Sequence, residues 1–220
     1  LRGHQIASCI DSPLICDADT GYGNINNVKR TVEEYEAAGV SAIHIEDQIT
    51  PKKCGAMKGL KLISAEEMVD KIKVAVNSRK DPNFTIIART DCNSIMGIDE
   101  TVRRCKMFAE AGADIVFPEF LKTNEEILKV TKSVDKPVMF DIIELKDEKI
   151  YSYKELEELG VKVVINCLSS MFFVSQELTN FYNYLIKNGS TKGYYDKIMD
   201  LHDYEELMGL SKENSLYLNP

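Results

Sequence analysis

No run of about 18 apolar residues occurs in this 220-residue sequence, which excludes an ordinary membrane-spanning helix. The opening Leu1-Arg2-Gly3-His4-Gln5 lacks the basic and then apolar pattern of a secretory leader. No CxxC pair occurs among Cys9, Cys16, Cys54, Cys92, Cys105 and Cys167, most of which sit in apolar or helical stretches. That distribution predicts buried, reduced thiols in a cytoplasmic protein, with Cys54, in a polar loop, as the exception. His4, His44 and His202 stand apart, so zinc spacing is missing. No G-x-G-x-x-G follows the first apolar run; Gly21-Tyr22-Gly23 is only a two-glycine turn. A net charge of -8 leaves no basic face for nucleic acid, although a local cluster or a metal ion can still receive a small anion.

What remains is a soluble globular composition, 44% hydrophobic and 28% charged, with a regular alternation. Short branched-apolar runs at 14–16, 42–45, 85–88, 114–117, 137–140 and 162–165 predict six strands. Helical periodicity falls between them, over 28–38, 68–76, 99–111, 124–133 and 152–159. Three of these helices stop at Gly39, Gly112 and Gly160, one or two residues before the next strand. Alternation of this kind means a parallel sheet with helical crossovers.

Nearly every strand ends in a polar or charged residue: Asp17 and Asp19, Glu46 and Asp47, Arg89 and Asp91, Glu119, Asp141, Asn166. A (β/α)8 TIM-type barrel gathers such ends at one mouth, whereas an open sheet spreads them along an edge. The barrel is therefore expected, as an α/β fold. Six units are two short of it, and the chain starts inside an apparent helix at 2–10, so two upstream units are expected to be missing. Residues 1–193 are expected to form the partial barrel. Residues 194–220, tyrosine-rich and amphipathic, are expected to form a helical arm, either capping its own barrel or packing on a neighbouring subunit.

Asp17 and Asp19 alternate along a strand end and so point the same way. With Glu46 and Glu119 they offer hard oxygen ligands suited to Mg2+ or Mn2+, and four converging acids are costly unless a cation neutralises them. Arg89 is suited to bidentate recognition of a substrate carboxylate. In Pro51-Lys52-Lys53-Cys54-Gly55, ammonium groups beside a thiol favour proton exchange near neutral pH. Metal, guanidinium and thiol together suit a substrate that chelates through a 2-oxo carboxylate or its enolate. The expected chemistry is C–C cleavage through a metal-stabilised pyruvate enolate protonated by the thiol.

These residues resemble the isocitrate lyase and phosphoenolpyruvate mutase superfamily. Asp17-Ala18-Asp19-Thr20-Gly21-Tyr22-Gly23, Glu46-Asp47-Gln48, Lys52-Lys53-Cys54-Gly55, Ala88-Arg89-Thr90-Asp91 and Phe117-Pro118-Glu119 look like its motifs in its order. The likeness is to the 2-methylisocitrate and dimethylmalate lyase branch, because the Lys-Lys-Cys-Gly loop is the lyase form. The resemblance implies a tetrameric barrel with its last helix exchanged between subunits. It implies Mg2+ held by Asp17, with Asp19, Glu46 and Glu119 contributing directly or through water. It makes Cys54 the general acid, with Lys52 in support, a backbone amide from Gly55, and Arg89 gripping a small carboxylate substrate, all under a loop that closes.

The sequence departs from that pattern in four places: Ala56 for a histidine, Asp141 for an asparagine, Ile143 for a threonine, and Phe172 near an arginine's position. Asp141, in the substrate-binding set, is an anion where a donor is expected. These departures imply a substrate with fewer acidic groups, or reduced activity. The alternatives are a 2-oxo acid hydrolase or decarboxylase, a phosphonate mutase, or an oligomerising paralogue that binds a small acid without turning it over.

Overall fold

A computed structural model of the chain describes residues 2–55, 57–146 and 148–210. In chain order the elements are α1 (Arg2–Ala7), β1 (Ile15–Asp17), α2 (Ile25–Ala37), β2 (Ala42–Glu46), α3 (Ala65–Ser78), β3 (Thr85–Thr90), α4 (Asn93–Met96) and α5 (Ile98–Glu110). They continue with β4 (Ile115–Pro118), α6 (Asn124–Thr131), β5 (Met139–Ile142), α7 (Tyr153–Glu158), β6 (Val163–Asn166), α8 (Ser169–Asn188), a 3-10 turn (Lys192–Lys197) and α9 (Leu201–Leu207). All six expected strands are present. The chain divides into two compact units between Leu168 and Ser169, so the division falls before α8 rather than at 193.

In the first unit every paired strand is parallel and neighbours follow the order of the sequence. β1, β2, β3 and β4 form one sheet and β5 pairs with β6, with a single parallel bridge from Val116 to Val138 between the two groups. A doubly wound sheet reverses its strand order at a switch point; this one does not. The helices begin where side chains satisfy free N–H groups: Asn24 for α2, Ser64 for α3, and reciprocal capping boxes of Thr123 with Glu126 and Ser152 with Glu155 for α6 and α7. Helices α2, α5 and α7 turn back toward the next strand through a glycine at positive φ, Gly39 (+83°), Gly112 (+104°) and Gly160 (+88°), where a side chain would strain the backbone.

Side chains alternate along each strand, which sorts them into two layers. Ile43, Ile45, Ile86, Ala88, Val116, Phe140 and Ile142 pack outward against Val28, Val32, Met68, Ile72, Phe108, Ile127 and Leu156 of the helices. Each large side chain so buried contributes about 1.5–3 kcal/mol. Ala42, Ile87, Phe117 and Met139, with Ile115, Val163 and Ile165, form a second cluster on the opposite face. Glu46, Arg89, Glu119 and Asp141 share the parity of this inner layer and continue it at the C-terminal strand ends.

The second unit contains α8, the 3-10 turn and α9. The long helix α8 was not foreseen, and the arm is not one continuous helix: a bend separates the 3-10 turn from α9. Phe181, Tyr184 and Tyr194 make ring contacts there, and Tyr184 Oη accepts from the Gly193 amide at 3.1 Å. The last ten positions of the expected arm, 211–220, lie outside the described residues, as does Ala56.

Among the described cysteines, Cys92 and Cys105 alone are buried, while Cys9, Cys54 and Cys167 are exposed and Cys16 is intermediate. The expectation that Cys54 is the one exception is therefore corrected. Cys9 follows the short helix α1, whose described residues are none of them buried, and Cys167 follows a strand on the edge of its pair. No described helix is long and apolar enough to cross a membrane.

Candidate active site

Strand β2 shows how the period of two builds the site. Glu46 points inward and its neighbour Asp47 outward, both wholly buried. Asp47 is structural: it accepts from Thr90 Oγ1 at 2.6 Å, from the Asp91 amide at 3.0 Å and from Arg104 at 2.8 Å. Those bonds tie the ends of β2 and β3 to helix α5. The inward carboxylates meet two cations. Lys52 Nζ lies 2.8 Å from Asp19 Oδ1, 3.3 Å from Asp17 Oδ2 and 3.4 Å from Glu46 Oε2. Arg89 Nε lies 2.8 Å from Asp91 Oδ1 and 3.5 Å from Glu46 Oε2, while its Nη2 reaches Glu119 Oε1 at 3.3 Å. The guanidinium also sits 5.2 Å from the centre of the Phe117 ring.

Asp17 and Asp19 converge on Lys52 by a route other than simple strand alternation. β1 ends at Asp17, and Asp19 takes a left-handed conformation (φ +49°) whose amide donates to Asp17 Oδ1 at 2.7 Å. The Asp19 carbonyl accepts from the Glu46 amide at 2.8 Å, which fixes the turn to β2. Lys71, buried under the same turn, donates to the Thr20 carbonyl at 3.0 Å.

The loop after β2 leaves and returns through an antiparallel neck, where Ile49 donates to Lys61 and Ile63 to Asp47. Its tip turns inward. Gly55 is buried, and a Cβ there would stand 2.9 Å from Phe120 Cε2, 3.0 Å from Arg89 Nη2 and 3.4 Å from Glu119 Oε1. The residue after Glu119, Phe120, holds φ +62°, a costly conformation for an aromatic, and its carbonyl accepts from Asn93 Nδ2 at 2.7 Å. The structure thus brings Lys52 and Gly55 onto the same acids and guanidinium as Arg89, Glu46 and Glu119. Cys54 stands between them in sequence and faces solvent.

Charge in this layer is unbalanced. Among the described residues, Asp17, Asp19, Glu46, Asp91, Glu119 and Asp141 share two lysine or arginine cations, Lys52 and Arg89. Burial, against the pull of Arg89, pushes Glu46 up to about 7. Glu119 is raised well above the usual range by burial and by the Asp141 carboxyl beside it, and burial raises Asp141 as well. Burial works against both cations, but Asp19, Glu46 and Asp17 raise Lys52, and Glu119, Asp91 and Glu46 raise Arg89, so both stay charged. Asp17 is lowered despite burial by His44, the Asp19 amide and Lys52. Asp141 also receives a weak contact from Cys167 Sγ at 3.7 Å.

The donor set fits a hard divalent cation. Glu46 Oε1 and Glu119 Oε2 are buried without a hydrogen-bond partner, an expensive arrangement that a cation relieves. Among the described residues no three ligand side chains stand as a ready metal cage, because the acids are drawn around the Lys52 ammonium instead.

Sequence reasoning quoted Gln48, Asp91 and His44 without giving them roles. Gln48 is buried and joins the loop to Asp91. His44 packs edge-on to Phe117 and lies 3.7 Å from Asp17 Oδ1. Inward parity on β2 and β3 was the available signal for His44 and Asp91; no local signal marks Gln48.

Residues 2–182 match the family described as phosphoenolpyruvate phosphomutase. The 2,3-dimethylmalate lyase of Eubacterium barkeri is 39% identical over 96% of this chain and 73% of its own length. The 2-methylisocitrate lyase of Shewanella oneidensis is 33% identical over 93% of this chain and 70% of its own length. A phosphonopyruvate hydrolase solved with oxalate and Mg2+ superposes with a TM-score of 0.84 at 29% identity, covering 99% of this chain and 76% of that one. With its parallel α/β sheet and five ordered motifs, the chain belongs to the phosphoenolpyruvate mutase/isocitrate lyase superfamily.

Proposed function

We propose that this protein is a Mg2+-dependent carbon–carbon lyase that cleaves a small 2-hydroxy dicarboxylate, of the dimethylmalate kind, to a 2-oxo acid and a second carboxylic acid. The observation that carries the reading is the loop tip: Gly55 seats against Arg89 and Glu119 while Lys52 enters the acid cluster of the same layer. A loop of that composition, closed on a guanidinium and an excess of acids, suits carbanion chemistry more than phosphoryl transfer. Relatives named as dimethylmalate and methylisocitrate lyases support it.

Asp17, with Asp19, Glu46 and Glu119, would hold the metal, which supplies Lewis acidity to the substrate's 2-oxygen and adjoining carboxylate. Glu46, which would meet the metal through water, keeps its unpartnered Oε1 for the proton of the 2-hydroxyl. The C2–C3 bond breaks as the C2 carbonyl forms, and its electron pair passes to C3, delocalised into the carboxylate of the departing acid. Cys54 delivers its proton to C3. This changes the expectation from sequence: the carbon protonated belongs to the departing acid, not to the 2-oxo acid. Arg89 grips a carboxylate and Lys52 neutralises the cluster. Among the described residues these two cations serve the layer, and Asp141 adds an anion to it, so two substrate carboxylates are better accommodated than three.

The reading includes completion of the barrel by further β/α units, assembly as a homotetramer through the C-terminal arm, and a cytoplasmic location. Its test is lactate dehydrogenase-coupled release of 2-oxo acid from a panel of substituted malates and citrates, with Mg2+ or with chelator. Turnover of a malate, lost on chelation and in Cys54→Ser, is expected. Full activity in Cys54→Ser overturns the proton-donor role. Binding of pyruvate and Mg2+ in calorimetry, with no product from any panel member, would instead favour a non-catalytic paralogue, which the Asp141–Glu119 pairing of acids makes the second reading.

A further inference from the structure

Gln48 spends its three hydrogen bonds on two separate parts of the site. Its Oε1 accepts from the Lys53 amide at 3.0 Å and its Nε2 donates to the Lys53 carbonyl at 3.0 Å, so the side chain pairs with the loop backbone at two points. The same Nε2 donates to Asp91 Oδ2 at 2.5 Å. The other oxygen of Asp91 takes Arg89 Nε at 2.8 Å, and Arg89 Nη2 reaches Glu119 Oε1 at 3.3 Å. Gly55, two residues beyond Lys53, rests against that Nη2 and that Oε1. The path is a closed ring: loop backbone, Gln48, Asp91, Arg89, and back to the loop through Gly55.

We infer that Gln48 is a positioning residue that makes the seating of residues 52–55 and the orientation of the Arg89 guanidinium a single event. Each half has ties of its own, Lys52 to Asp17, Asp19 and Glu46, and Arg89 to Glu46 and Glu119, and Gln48 is the hydrogen-bonded link between the loop backbone and the guanidinium's partner Asp91. The loop's own backbone bonds lie at its neck, at Ile49 with Lys61 and Ile63 with Asp47, and in the turn from Cys54 to Met57. Without Gln48 the tip keeps its neck and the Lys52 ion pairs but loses the two hydrogen bonds that hold the Lys53 backbone, and Asp91 loses the donor that directs its second oxygen away from Arg89. With Gln48 present, a substrate carboxylate that turns the guanidinium also pulls on the loop. The role as a catalytic loop rests on the lyase reading; the mechanical coupling does not.

The direction of the hydrogen bonds allows a test by charge-conserving exchange. Gln48→Met removes all three contacts while keeping length. Gln48→Glu keeps acceptance from the Lys53 amide but sets carboxylate oxygen against both the Lys53 carbonyl and Asp91. Combining it with Asp91→Asn reverses the bond, because the new amide donates to Glu at 48 and still accepts from Arg89. Hydrogen exchange at amides 52–55 is read beside the Ile63 amide at the neck, which reports general loosening. Gln48→Met is expected to speed exchange at 52–55 roughly five- to thirtyfold, with Ile63 unchanged. Gln48→Glu is expected to lower kcat/KM, and the Gln48→Glu, Asp91→Asn pair to recover the part that comes from the contact with Asp91. Unchanged exchange at 52–55, equal loosening at Ile63, or a pair no better than Gln48→Glu alone overturns the inference. If Gln48→Met does not fold, the comparison of the single and paired exchange variants decides it. Exchange needs no turnover, so intact coupling in a protein without lyase activity would count against the lyase reading only.

Discussion

Gly55→Ala tests the packing of the loop tip at the cost of one methyl group. Gly55 is not in the left-handed region, so alanine meets no backbone penalty and the effect is steric. The added Cβ would lie 2.9 Å from Phe120 Cε2 and 3.0 Å from Arg89 Nη2. An arginine end ordinarily yields to such a contact, but this one is held by Asp91, Glu46 and Glu119 together. Phe120 is fixed through its carbonyl by Asn93. The loop must therefore lift. Overpacking of this kind costs about 1–3 kcal/mol, and if the seated loop is the reacting state the loss in kcat/KM is roughly five- to 150-fold. The neck and the strands are untouched, so the melting temperature should move little. Coupled release of 2-oxo acid gives the rate, and a thermal melt gives the control. Wild-type kcat/KM in Gly55→Ala would refute the reasoning, since it would mean that the reacting enzyme does not seat Gly55 on Arg89.

Two further predictions concern the buried carboxylates. Glu46 has a folded value of about 7 against an ordinary 4.5, so between those values the folded protein binds more protons than the unfolded chain. Without added divalent cation, stability should fall as pH rises from about 4.5 to 7, with Glu46 contributing on the order of 3 kcal/mol of the fall. Urea unfolding across that range should show the slope, and Glu46→Gln should reduce it while Glu119 and Asp141, raised likewise, keep the remainder; an unchanged slope in that variant would contradict the assignment. Asp47→Ala strips buried Arg104 of one of its two carboxylates, leaving Glu100, and takes the acceptor from the Thr90 hydroxyl and the Asp91 amide, and should cost about 3–5 kcal/mol in the same assay. A loss below about 1 kcal/mol would show that the outward acid is not structural.

The six strands were legible because branched-apolar runs and helix-ending glycines are local signals, and Gly39, Gly112 and Gly160 carry the positive φ their position demands. The acids at the strand ends were legible for the same reason. Parity along β2 separates Glu46 from Asp47, and in the structure the first faces two cations and the second a structural arginine. The role of Gln48 was not legible, because one of its partners, Asp91, lies 43 residues away and a buried amide has no periodic signature. Exposure of Cys9 and Cys167 was misread for a related reason: an apolar neighbourhood in sequence does not report which side of an element is covered. The long α8 was missed because its apolar residues are not buried and mark no inward face.

The most direct test of the central claim follows the proton. Cleavage of 2,3-dimethylmalate in D2O with Mg2+, with the 2-oxo acid trapped as it forms, is read by mass spectrometry and NMR of both products. One deuteron at the α-carbon of the released carboxylic acid and none gained by the 2-oxo acid, with turnover lost in Cys54→Ser, is the predicted result. Deuterium placed in the 2-oxo acid instead, or the same labelling at full rate in Cys54→Ser, would contradict it.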